Sequence, residues 1–157
     1  MDTRCVSCTA ENPAIPADLA DGLGTGRLTH LALESVQGLE VPWTEFRLGP
    51  GYPGHSFRVL LTLLTYAYGR GVLASDEVLD RVGSDADFRY ICSTEYPDAA
   101  TLRAFRRREG SRLQTTLTQL VRSAMSLELG NIGINAQAEA SRRLEAAAAA
   151  DSLALDY

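Results

Sequence analysis

Apolar positions recur with helical spacing through most of the chain, and the gaps between them fall at glycine, proline and capping residues. Between Pro13 and Phe46, Leu28, Leu31, Leu33 and Val36 supply the apolar positions of a helical pattern. The run Gly49-Pro50-Gly51-Tyr52-Pro53-Gly54 then predicts a turn, because proline fixes φ and glycine permits positive φ. The segment Phe57 to Tyr68 is apolar on nearly every side, as in a helix at the middle of a bundle, and Gly69-Arg70-Gly71 ends it. Ser75 reads as an N-cap, with Asp76 and Glu77 in the first turn and Leu79 and Val82 inward. Gly83 stops that helix, and Ser84 reads as the cap of another running through Phe88 to Ile91. After a loop from Cys92 to Pro97, Asp98 is a third N-cap, opening a helix that buries Leu102 and Phe105. Gly110-Ser111 interrupts or bends it, and Leu113, Leu117, Leu120 and Met125 continue the stripe.

Two segments near the end are less regular. Asn131 to Asn135 alternates like a short strand, and the Ala-rich tail from Ala136 is helix-prone without an obvious core face of its own. The reading is an all-α small helical bundle with a residual short strand near the C-terminus. It divides into a flexible lead-in at 1–12, a helical domain at 13–128, and a remnant plus tail at 129–157.

At 157 residues and 45% hydrophobic content, the chain is one domain's worth with enough apolar surface for a core. No apolar run is long enough to span a bilayer, and Met1 to Cys5 lacks the basic-then-apolar pattern of a secretory leader. Three cysteines do not make a disulfide framework, so a reducing cytoplasm is the expected compartment. Cys5 and Cys8 form a CxxC pair, but a closed zinc site needs two further ligands and no second pair exists, so no metal is expected. His30 and His55 are single histidines better suited to packing or surface roles, and no cofactor-binding pattern is present.

The net charge of −5 argues against a uniformly basic nucleic-acid coat. All 15 basic residues are nonetheless arginine, and five of them fall between positions 103 and 112. Leu102 and Phe105 define the buried face there, and Arg103 and Arg107 point away from it, flanked by Arg106 and Arg108. Such a helix can lie against phosphates or enter a major groove. Two short capped helices precede it, which makes the arrangement helix-turn-helix-like. The alternative is a solvated helix face with local pairing to Asp98 or Glu95.

Several segments together resemble a known family. Tyr52-Pro53, the helix through Leu64-Thr65-Tyr66-Ala67-Tyr68-Gly69-Arg70-Gly71-Val72, and Ser75 to Phe88-Arg89-Tyr90-Ile91 are similar to the amino-terminal, non-catalytic domain of insertion-sequence DDE transposases. Pro97-Asp98-Ala99-Ala100-Thr101-Leu102-Arg103-Ala104-Phe105-Arg106-Arg107 carries the most specific match. The resemblance covers about residues 13 to 145. It implies DNA as the partner and Thr101, Arg103, Arg106, Arg107, Arg108 and Arg112 as contacts. In that family a strand carrying the first catalytic Asp follows, and here Asn135 falls on that Asp. A neutral amide supplies no charge for two-metal phosphoryl transfer, and the remaining carboxylates would lie beyond Tyr157, so the expected protein is not an enzyme. The expected role is a non-catalytic DNA-binding regulator or inhibitor; the alternatives are a protein-interaction module that kept the fold and lost DNA binding, and a fragment without a selected role. For residues 129–150 the apolar strand and tail could stay loose, fold onto the adjoining helices or pair with a second chain, and the expectation is pairing, as a homodimer or hetero-complex.

Overall fold

The apolar segment becomes the central helix of the bundle because no face of it tolerates water. The computed structural model describes residues 15–41, 44–129 and 135–155. Among these residues the order is α1 (Thr25–Gln37), β1 (Glu45–Phe46), β2 (His55–Ser56), α2 (Phe57–Gly69), α3 (Ser75–Ser84), α4 (Ala86–Cys92), α5 (Ala99–Arg108), α6 (Gly110–Leu129) and α7 (Ala136–Leu155). Helix α2 is buried from Leu60 to Gly69 and is packed by α1, α4, α5 and α6. The all-α expectation holds. The predicted lead-in with Cys5 and Cys8, and the Asn131–Ile134 part of the predicted strand, lie outside the described residues.

Helix α2 starts where Ser56 Oγ accepts the Val59 N–H at 3.3 Å, and it ends in a tight reversal. Gly71 takes φ +80°, and a side chain there would meet the Ala17 carbonyl oxygen at 2.9 Å, so this exit requires glycine. The residues before α1 dock against the same exit. Arg70 Nε donates to both oxygens of Asp18, and the Leu19 N–H donates to the Gly69 carbonyl at 2.9 Å.

Two of the three predicted caps change. Ser75 is the first helical residue of α3 rather than its cap, and Ala74 precedes it. The cap comes from 76 residues downstream, where Asp151 of α7 accepts the Ser75 N–H at 2.8 Å and the Ser75 hydroxyl at 3.0 Å. Helix α3 also runs through Gly83 and Ser84. The Ser84 hydroxyl donates back to the Asp80 carbonyl, and Asp85 caps α4 by accepting the Asp87 and Phe88 N–H groups. Asp98 caps α5 as expected, accepting the Thr101 N–H at 2.8 Å.

The Ala-rich tail does have a core face. Ala136, Glu139, Ala140, Arg143, Ala147 and Asp151 are buried at helical spacing, and α7 lies along α6. The small alanines allow close approach, while the charged positions reach across to the rest of the bundle. Arg143 donates to the carbonyls of Pro16, Ala17, Tyr68 and Gly69 and to Glu139. Those of Tyr68 and Gly69 belong to the last turn of α2, where helix carbonyls lack intrahelical partners. Burial, followed by the nearby Arg142 charge, lowers the Arg143 pKa to about 10, which still leaves it charged at neutral pH. Within 129–150, the described part of α7 packs against α6 of the same chain.

Cys92 closes α4 and is fully buried. Burial, with Glu95 nearby, pushes its thiol up to about 11. Only the thiolate is nucleophilic, so peptide-mapped alkylation at pH 8 should leave Cys92 unmodified in the folded protein and label it in urea. Labelling at equal rates in both states would contradict this packing. Because the folded value is raised, the linked stability is full below the ordinary thiol pKa of about 8.5 and is lost as pH rises towards 11.

Candidate nucleic-acid interface

The arginine-rich helix α5 is placed by its start and by its buried face. Pro97 is buried, and hydrogen bonds from the Thr101 side chain and backbone hold the Asp98 carboxyl below its usual range. Leu102 and Phe105 are fully buried. Phe105 meets Phe46 of β1 and Phe57 of α2 edge to face, each with ring centroids 5.0 Å apart. Helix α3 packs against both α4 and α5. The connection from α4 to α5 is long, and Ser93 reverses the chain at φ 56° without a glycine.

The six residues expected to contact DNA do not share one environment. Thr101 faces the interior at 5% exposure, so it lies off the cationic face. Arg106 turns the other way and is held by Asp151, with Nη2 at 3.1 Å and Nε at 3.2 Å from Oδ2. Arg108 donates to the carbonyls of Arg47 and Leu48, both at 3.1 Å, and its guanidinium stacks 5.2 Å from the Phe46 ring centroid. Arg112 pairs with Glu109 at 2.8 Å and lies 5.3 Å from the Phe57 ring. Arg108 and Arg112 therefore sit over the phenylalanine cluster as well as facing solvent. Arg103 and Arg107, one helical turn apart, form no ion pair or side-chain hydrogen bond among the described residues. Arg107 is exposed and Arg103 half-buried, on the side away from the core.

Sequence reasoning missed the partners that commit these arginines. Asp151 lies 45 residues from Arg106, and the two-residue strands that bring Arg47 to Arg108 are too short to show a period. The regular spacing of Glu139, Arg143, Ala147 and Asp151 was the one signal available for α7, since these positions share a helix face. Asn135 accepts the Ala138 N–H at 3.0 Å and so caps α7. Among the described residues, no group of three or more His, Cys, Asp or Glu is placed to hold a metal ion. No helix of the described residues is long and apolar enough to cross a membrane.

Residues 38–108 match a family model described as a transposase domain (DUF772). The matched span begins just after α1 and ends on the last residue of α5, so it holds the ribbon and α2 to α5. No curated protein and no solved structure matches the chain.

Proposed function

We propose, from the transposase-related domain at residues 38–108, that this chain is a non-catalytic DNA-binding protein derived from a transposase amino-terminal domain. It acts as a regulator or inhibitor of transposition or transcription. The observation that carries the reading is the pair Arg103 and Arg107 on α5, inside the matched span and uncommitted to any acid among the described residues. Guanidinium groups in that state can meet phosphates without first breaking an internal pair. Asn135 supports the non-catalytic half. It resembles, in position, the family's first catalytic carboxylate, yet it is an amide engaged as a helix cap.

Binding of random-sequence duplex DNA, followed by fluorescence anisotropy across a salt series, tests the reading. Affinity should fall with salt, and replacing Arg103 and Arg107 with Gln should flatten the log–log slope by roughly 0.9 for each phosphate no longer neutralised. Helical circular dichroism should stay unchanged, because neither side chain has an internal partner among the described residues. No binding at low salt, or the same slope in the double variant, would overturn the assignment of α5. A net charge of −5 favours a second reading, a protein-interaction module. That reading gains if duplex binding is absent while the fold is intact.

A further inference from the structure

The ribbon formed by β1 and β2 is fastened along the basic helix at two points. At one, Glu95, three residues before the cap of α5, accepts the Ser56 N–H at 3.1 Å and bonds His55 Nδ1 at 3.3 Å. At the other, Arg108, the last residue of α5, holds the carbonyls of Arg47 and Leu48. Phe46 packs on Phe105 between them. The ribbon therefore cannot swing away from α5 without breaking its bonds at both ends of that helix.

Its loop has a defined shape. The Tyr52 N–H donates to the Gly49 carbonyl at 3.1 Å, with Pro50 and Gly51 between them and Gly51 at φ +84°. Proline followed by a positive-φ glycine is the pattern of a type II turn. Arg47 braces the loop from the other side by donating to the Tyr52 carbonyl at 2.7 Å. Two large polar side chains then stand in solvent: Arg47 at 53% exposure and Tyr52 at 52%.

We infer that this loop is a second DNA-contacting arm, in which Arg47 and Tyr52 take the sugar–phosphate backbone of duplex DNA at the end of α5 marked by Arg108. The inference rests on the proposed function and extends it to residues outside the basic helix. A guanidinium carries five N–H donors, and the internal partners of Arg47 leave some of them for a phosphate oxygen. A tyrosine hydroxyl is a common phosphate or sugar contact. The loop also carries its own counter-charge, because Glu45 pairs with Arg47 at 3.0 Å. Glu45 folds back over Gly54, where a side chain would collide with it. An exposed pair of this kind contributes little stability, so a phosphate can compete with Glu45 for Arg47, and Glu45 opposes binding by its charge.

The test compares the wild type with R47Q, R47K, E45Q and the Arg103/Arg107 double Gln variant on one random-sequence duplex across a salt series. R47Q should flatten the salt slope by about 0.9 and weaken binding about eightfold at 0.1 M salt, the counterion contribution of one phosphate. R47K should keep the slope, because the charge remains. E45Q should bind more tightly than the wild type. If R47K falls with R47Q, the weakening comes from the loop brace rather than the charge, and the inference is overturned. It is also overturned if R47Q matches the wild type while the double variant is weakened, an outcome that leaves the α5 reading standing. A wild type that binds no duplex at low salt removes both.

Discussion

Asp151→Ala should lower stability by about 3–5 kcal/mol, the usual cost of removing one partner from a buried ion pair. At about 2–4 °C per kcal/mol for a chain of this size, the melting temperature should fall by roughly 10 °C. The size follows from what the carboxylate holds. Asp151 is 3% exposed, pairs with Arg106 and accepts two hydrogen bonds from Ser75, so one side chain joins α3, α5 and α7. Alanine leaves the Arg106 guanidinium without its acid and the first turn of α3 without its cap. Arg106→Ala should cost less, because Asp151 keeps Ser75 and stays at a helix N-terminus, where negative charge is favoured. Urea denaturation of the three proteins reads this order directly. A drop under 1 kcal/mol for Asp151→Ala would mean that α7 does not seat there in solution.

Arg143→Ala should cost about as much, roughly 3–5 kcal/mol. Its guanidinium is buried, and it is the shared partner of four carbonyls and one carboxylate. Removing it takes one donor from each carbonyl at the end of α2 and takes from Glu139 its buried partner. The control is adjacent. Arg142 pairs with the same Glu139 carboxylate but is 64% exposed, so Arg142→Ala should change stability by no more than about 1 kcal/mol. Lysine at 143 should recover little, because an ammonium group cannot reproduce the planar fork that reaches Pro16, Tyr68 and Glu139 together. Equal effects from the two arginines would contradict the division between buried and exposed partner.

The central helix was legible because an all-apolar segment of this length has one destination in a bundle, and Leu102 and Phe105 fixed the inward face of α5 for the same reason. Asp98 was legible because capping depends on residues two and three places away. The cap of α3 was not, since its acceptor lies 76 residues downstream and no local rule reaches it. The tail misled differently. Alanine gives little contrast between inside and outside, and Glu139, Arg143 and Asp151 read as surface positions until their partners are known. The arginine cluster was visible as a cluster, but a helical projection shows direction only. That Arg106 turns to α7, and that Arg108 lies over Phe46 while Arg107 is uncommitted, depends on elements far away in sequence.

The reach of α7 has a consequence for the order in which this domain matures. Its bonds close spans of 45 residues to Arg106, 76 to Ser75 and 127 to Pro16. The entropy of closing a span rises only slowly with its length, but none of these bonds can form before α7 has been synthesised. During translation, α2 to α5 can pack first, as amino-terminal segments generally do. For that interval Arg106 has no acid beside it, and α5 carries one more uncommitted guanidinium than it does in the finished fold. When α7 arrives it withdraws that charge, so the cationic character of α5 is set partly by a helix made after it.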